Sequence, residues 1–372
     1  MRFEFATAQR ILFGEGVVRD VPAAARTFGS RAILVRGSSA ERAAPLRAAL
    51  EAAGVACREF AVPGEPTVEL IRAAPRDADL VIAIGGGSVL DAGKAIAALI
   101  TNPGDPLDYL EVIGRAQPLT QAAAPCIAIP TTAGTGSEVT RNSVLGSPEH
   151  RVKASMRSAS MLPRLAVVDP ELTLALPRAI TASTGLDALT QLIEPYLSVK
   201  ANPMTDALCI QGMPRAARAL PTVWERPDDR DARIAMSFAS LLGGMALANA
   251  GLGAVHGFAA PIGGMFPAPH GAVCAAILPH AMEVNLRASK DRTRFDVVAR
   301  LLTGRPHATA EDGVMWIAEL CTQLEIPPLR TYGIGESDVP VLVEKASQAS
   351  SMKGNPVALS RQELHEILSR AL

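Results

Sequence analysis

Three of the chain's six histidines, His256, His270 and His280, fall in one stretch, Gly251 to His280, which reads GLGAVHGFAAPIGGMFPAPHGAVCAAILPH. It lies within the longest run free of Asp, Glu, Lys and Arg, from Ile234 to Met282. An imidazole in such apolar surroundings has to find a partner, because an unpaired buried polar group costs about 1–3 kcal/mol. For a lone histidine the ordinary partner is a backbone carbonyl. Here His256 and His270 are each followed by Gly, which admits close approach of backbone or ligand. A Pro-Ile-Gly-Gly and Pro-Ala-Pro segment between them reads as a turn, so the two come from separate elements. Two imidazoles converging in an apolar pocket suit a divalent transition metal.

Two loops of small residues offer a second chemistry. Leu80 to Ile84 is a short, wholly apolar strand that runs into Gly85-Gly-Gly-Ser88, and a helix from about Val89 carries Asp91 and Lys94. Strand, glycine turn and helix N-terminus together form an anion site, because free amides point at a phosphate and glycines let it close in. The pattern is neither GxGxxG nor a P-loop, and a plain tight turn is the competing reading. Pro125 to Pro130 is a further strand, ending in Thr131-Thr-Ala-Gly-Thr-Gly-Ser137 and then Glu138-Val-Thr140-Arg-Asn142. In an open parallel sheet, ligands bind outside the carboxyl ends of the strands. Two such loops after buried strands predict a dinucleotide site. Lys153, in the basic stretch His150 to Arg157, is placed either to meet phosphate or on a solvated face.

The elements that position these loops follow a βαβαβ rhythm. Strands are expected at Ala32–Val35, Val55–Val62, Leu80–Ile84, Pro125–Pro130 and, last, Ala166–Pro170, with helices at Val21–Phe28, 41–53 and Thr67–Ala74. Phe3–Phe5 and Ile11–Phe13 suggest a small hairpin or edge strands. Beyond Pro177 only Ala/Leu helical patterns follow, and Asp187 and Gln191 share one helical face there at i and i+4. The expected fold is an α/β nucleotide-binding domain over 1–178 and an all-helical domain over 179–372. A chain of 372 residues is long for one core, in keeping with two domains.

Composition excludes several classes. The net charge of −1 and the lack of a Lys/Arg patch with interleaved aromatics argue against nucleic acid and anionic membrane. Glycines, prolines and histidines break the uncharged run, so it reads as buried core helices rather than a membrane span. The five scattered cysteines, without a CxxC, read as reduced thiols in a cytoplasmic protein. The charged N-terminus carries no secretory pattern.

The motifs GGGSVLDAGKAIA, PTTAGTGSEVT, TGLDALT and GLGAVHG followed by PHG, in this order, resemble the iron-containing (group III) alcohol dehydrogenases. The resemblance runs from about Phe13 past His280. It implies a dehydroquinate synthase-like fold, a cleft between the two domains, a homodimer, and interconversion of a small alcohol with its aldehyde or ketone using NAD or NADP and Fe or Zn. Matched by motif, Gly86, Gly87, Ser88 and Asp91 would hold the pyrophosphate and nicotinamide side. Thr131, Thr132, Thr135 and Thr140 would line the cofactor, with Asn142 and Lys153 nearby. Asp187, Gln191, His256 and His270 occupy the metal positions.

Three positions depart from the family pattern. Gln191 stands where the family carries a histidine, and an amide oxygen is the harder, weaker donor for Fe or Zn. Ala260 stands where many relatives have a further histidine four residues after the first metal histidine, so no imidazole relays a proton there. After the second strand, Arg36-Gly37-Ser38-Ser39 replaces the Asp of NAD-preferring relatives; without that carboxylate, and with Gly37, Ser38 and Arg36 at hand, NADP becomes acceptable beside NAD and is the favoured reading, with Arg36 as a plain surface residue the competing one. Other readings stay open. A maleylacetate reductase is one, with Asp187 counting against it. A lyase of the dehydroquinate synthase kind and a non-catalytic nucleotide-binding relative are the others.

Overall fold

The computed structural model describes residues 2–372. Contacts divide the chain into two compact units, one comprising Thr7–Thr132 and Gly136–Thr173, the other the N-terminal residues through Ala6 together with Ala133–Thr135 and Leu174–Leu372.

The first unit is built on a six-stranded parallel sheet. In chain order its elements are β1 (Ile11–Phe13), α1 (Val21–Arg26), β2 (Arg31–Arg36), α2 (Ala44–Ala52), β3 (Ala56–Ala61), α3 (Val68–Arg72), β4 (Leu80–Gly85), α4 (Gly87–Thr101), α5 (Pro106–Tyr109), β5 (Cys126–Pro130), β6 (Asn142–Ser147), β7 (Val152–Arg157) and β8 (Leu165–Val168). The sheet order is β1-β8-β5-β4-β2-β3. β4 and β5 lie inside the sheet and every residue of both is buried, which is why they read as unbroken apolar runs. β3, at one edge, has no buried residue; its positions are exposed or half-buried.

Four local expectations change. Phe3–Phe5 forms no strand; only Ile11–Phe13 does, pairing in parallel with β8. The helix after the glycine turn starts at Gly87, two residues before the expected Val89. β6 and β7 form an antiparallel hairpin that the basic stretch concealed. Its inward side chains include Ser143 and Ser147, so hydrophobicity does not alternate along it. Finally, Pro261-Ile-Gly-Gly is helix rather than turn.

The second unit is helical: α6 (Arg178–Leu197), α7 (Pro203–Glu225), α8 (Arg230–Ala250), α9 (Ala254–Met265), α10 (His270–Ala288), α11 (Thr293–Thr303), α12 (Ala310–Gln323), α13 (Val339–Gln348) and α14 (Arg361–Ala371). Helix α6 is buried continuously from Gly185 to Leu197 and packs against α7, α8 and α10. Capping explains where two of its neighbours begin. Asn202 caps α7 through the amides of Met204 and Thr205, and Asp229 caps α8 through Ala232. The uncharged run is divided among α8, α9 and α10, with α8 and α9 bent by 96°. Among the described residues no single helix is long and apolar enough to cross a membrane.

Candidate metal centre and nucleotide loops

Asp187 comes from the buried middle of α6, His256 from the first turn of α9, and His270 is the first residue of α10. Cys274 lies one helical turn beyond His270, on the same face. One donor atom from each of these four residues lies within 4.8 Å of the others. Asp187 Oδ1 is 3.3 Å from His256 Nε2 and 3.8 Å from His270 Nε2, and Cys274 Sγ is 3.7 Å from His270 Nε2. The two imidazole rings are tilted by 53° with centroids 5.4 Å apart. Asp187, His256 and Cys274 are buried, whereas the His270 side chain is 34% exposed and marks the side from which the centre is reached.

The approach of α10 to α6 depends on Gly271. A Cβ at that position would stand 2.6 Å from the Ser183 carbonyl oxygen. This glycine brings His270 opposite Asp187. The expectation that the glycine after His270 serves a close backbone approach is met here by α6 itself.

Glu194 orients His256. Its carboxylate accepts from His256 Nδ1 at 2.6 Å and from the Val255 amide at 2.8 Å. With Nδ1 turned to Glu194, Nε2 is left facing Asp187, where it can give up its proton to become a metal donor. Such carboxylate–imidazole pairs set the tautomer of metal-binding histidines. Neither Glu194 nor Cys274 was singled out from the sequence for this site, although the spacings were available. Glu194 follows Asp187 at i+7 and Cys274 follows His270 at i+4.

The centre is electrostatically unfinished as a purely organic cluster. Asp187 Oδ1, His256 Nε2 and Gln191 Oε1 are buried without a hydrogen-bond partner. Orphaned buried polar atoms cost free energy that a bound cation would recover. Burial opposes ionisation of Asp187, but His270 and His256 beside it hold its carboxyl below the ordinary range. Burial likewise disfavours the Cys274 thiolate, yet the two imidazoles pull the thiol below its usual value. His256 is raised well above the ordinary histidine range: burial works the other way, but Cys274, Glu194 and Asp187 prevail. A carboxylate, two imidazoles and a thiol, all aimed at one point, fit a divalent transition metal. The apolar residues Phe258 and Ile262 are fully buried in the helical core, while Met265 is half-buried.

In the sheet unit, the loops after β2, β4 and β5 emerge at one edge, because these strands are parallel neighbours. This brings Gly37 and Ser38, Gly86 to Ser88, and Thr131 and Thr132 to the same edge. The Thr131 amide donates to the Gly85 carbonyl at 2.9 Å, joining two of the loops. Helix α4 has Gly86 at its N-cap and no side chain capping its first turn. Its leading amides therefore face outward, as an anion requires.

Other residues expected at the nucleotide are engaged inside the protein. Asp91 accepts from Ser137 Oγ and from the Val144 amide, and pairs with the fully buried Lys94 at 3.1 Å. Thr140 is buried, its Oγ1 accepting from Lys94 Nζ at 2.9 Å. Lys153 and Asn142 lie on the β6–β7 hairpin, and Lys153 is paired with Glu65 at 3.0 Å. Arg36 is held by Glu59 at 2.6 Å and by the Gly37 carbonyl. Thr135 belongs to the helical unit.

Comparisons with known proteins agree with this architecture. The iron-containing alcohol dehydrogenase profile matches residues 8–170, and the profile of the Fe-containing alcohol dehydrogenase family C-terminal region matches residues 181–372. The chain is 37% identical over 297 residues to alcohol dehydrogenase 4 of Saccharomyces cerevisiae, covering 80% of this chain and 76% of that protein. The crystal structure of a 1,3-propanediol oxidoreductase superposes with a TM-score of 0.94 at 34% identity, covering 100% of both chains. Sulfoacetaldehyde reductase from Bifidobacterium kashiwanohense, solved in complex with NAD+, does so with a TM-score of 0.88 at 28% identity, covering 99% of this chain and 98% of that one. The chain belongs to the iron-containing alcohol dehydrogenase family and is an oxidoreductase of that family.

Proposed function

We propose that the protein is a metal-dependent, NAD(P)-dependent alcohol dehydrogenase that interconverts a small alcohol with its aldehyde or ketone. The observation that carries the reading is the convergence of Asp187, His256, His270 and Cys274, with Asp187 Oδ1 and His256 Nε2 buried and unpartnered. When bound, the metal supplies Lewis acidity toward the alcohol oxygen, and the nicotinamide supplies a two-electron acceptor.

On this reading residues 1–178 bind the dinucleotide and 179–372 bind the metal and substrate. The amides of Gly87 and Ser88 receive the pyrophosphate, and Thr131 and Thr132 border it. Asp91 and Thr140 act by holding the Ser137 loop in place. Asp187 brings a negative charge to the metal, and Glu194 keeps the His256 proton on Nδ1. With Ala260 in place of an imidazole, no side chain at that position would carry the alcohol proton away, and water would have to take it.

The sulfoacetaldehyde reductase complex with NAD+ supports a nicotinamide dinucleotide as cofactor. Acceptance of NADP rests on Gly37, Ser38 and Ser39, which follow β2 without a carboxylate. Because Arg36 is taken up by Glu59, the serine hydroxyls and the loop amides carry that preference. The working assembly is a homodimer.

The test is turnover of His256→Ala and His270→Ala on a panel of small alcohols and aldehydes, followed through the absorbance of the reduced nicotinamide. Loss of turnover with retained dinucleotide binding is expected. Wild-type rates in both variants contradict the reading. Dinucleotide binding without turnover of any panel member by the wild type instead supports a non-catalytic relative.

A further inference from the structure

The donor set at the metal centre differs from that of the family in one exchange. The third imidazole is missing at Gln191, and a thiol stands across the centre at Cys274. We propose that Cys274 is a protein ligand of the metal in place of that imidazole, and that its sulfur selects Zn²⁺ over Fe²⁺. The proposal rests on the metal-dependent reading above and deepens it.

Geometry supports the exchange. Bonds of about 2.0 Å to nitrogen or oxygen and about 2.3 Å to sulfur give a tetrahedron with N/O edges of about 3.3 Å and S–N edges of about 3.5 Å. The distances found are 3.3 and 3.8 Å between Asp187 Oδ1 and the two histidines, and 3.7 Å between Cys274 Sγ and His270 Nε2. These three edges lie within about 0.5 Å of that geometry, and all four donor atoms lie within 4.8 Å of one another. Helix geometry supplies the thiol, since one turn of α10 carries both His270 and Cys274.

Charge points the same way. Asp187 and the Cys274 thiolate together neutralise a dication in a site where Asp187 is 1% and Cys274 0% exposed. Asp187 and a neutral Gln191 would leave one positive charge uncompensated there. Gln191 lies one helical turn from Asp187 on α6, its Oε1 buried without a hydrogen-bond partner. A thiolate among imidazoles suits zinc, a borderline-soft ion without redox chemistry, whereas a carboxylate with three imidazoles suits iron equally well.

The test reconstitutes the full-length protein with Co²⁺ and records its absorption spectrum. Cys274→Ala, Cys274→Ser and Gln191→His/Cys274→Ala are measured alongside, with thermal melts as a folding control and Zn²⁺ against Fe²⁺ competition. The wild type should show a near-ultraviolet thiolate-to-cobalt charge-transfer band as well as the visible d–d bands. Both single variants should lose the first. Their Zn²⁺ affinity should fall by about 100-fold or more, beyond the 10–100-fold typical of outer partners. The double variant should regain affinity without the charge-transfer band and bind Fe²⁺ better relative to Zn²⁺. Cobalt bound by the wild type with d–d bands alone overturns the assignment of Cys274 but leaves the metal site standing. Folded wild-type protein that binds neither cobalt nor zinc overturns both.

Discussion

Replacing Glu194 by Gln tests how the metal centre is preorganised. Glu194 is 7% exposed and uses both oxygens, one for His256 Nδ1 at 2.6 Å and one for the Val255 amide at 2.8 Å. Glutamine has the same shape but only one acceptor. If the acceptor stays on His256, the amide NH₂ meets the Val255 N–H and a buried backbone donor loses its partner, at a cost of about 1–3 kcal/mol. If the acceptor stays on Val255, the NH₂ faces Nδ1 and drives the proton to Nε2. That proton then occupies the lone pair aimed at Asp187 and His270. Either outcome weakens the centre, and changes to such outer partners lower metal affinity by about 10–100-fold, or roughly 1.4–2.7 kcal/mol. Competition titration of Zn²⁺ against a chromophoric chelator measures this, with a thermal melt of the metal-free protein to show which arrangement is adopted. Wild-type affinity in a folded Glu194→Gln protein would refute the role given to Glu194 and with it the tautomer assigned to His256.

Other consequences follow from contacts elsewhere. Gly271→Ala places a methyl group 2.6 Å from the Ser183 carbonyl oxygen, which has no freedom to yield. It should cost about 1–3 kcal/mol of stability and carry His270 away from Asp187, lowering metal content; wild-type metal content rules this out. Burial pushes Glu138 from an ordinary 4.5 up to about 7, so the folded protein binds its proton more tightly than the unfolded chain. Stability therefore falls as pH rises between these values, and Glu138→Gln should flatten the decline by up to about 3 kcal/mol; denaturant midpoints from pH 5 to 8, about one unit beyond the upper value, decide it. Ser38→Asp introduces a carboxylate after β2. It should lower kcat/KM with NADPH relative to NADH by at least about tenfold, and an unchanged ratio refutes the role of this loop.

What could be read from the residues depended on whether the signal was local. β4 and β5 were legible because buried parallel strands are apolar on both faces, and small residues mark the loops that follow them. The β6–β7 hairpin was not, because its buried side includes the polar Ser143 and Ser147; Ser143 donates to the Asp91 carbonyl, 52 positions away. Pro261, Gly263 and Gly264 argued for a turn, but α9 runs through them, its Phe258 and Ile262 packed in the helical core. Tertiary burial there outweighs propensity. At the centre, His256, His270 and Asp187 stood out by type and spacing. Cys274 and Glu194 did not, since i+4 and i+7 spacings place residues on one face without saying what the face meets. The joining of the first residues to the helical unit, through paired hydrogen bonds of Ala6 with Asn249, spans 243 positions and leaves no local trace.

The central claim is that a metal held by α6, α9 and α10 carries the dehydrogenase activity. Mass spectrometry of the metal content, with activity before chelation, after it, and after return of Zn²⁺ or Fe²⁺, tests that claim most directly. The account predicts about one ion per chain, activity lost with the ion and restored with it. A folded, dinucleotide-binding protein whose turnover is the same with and without metal would contradict it.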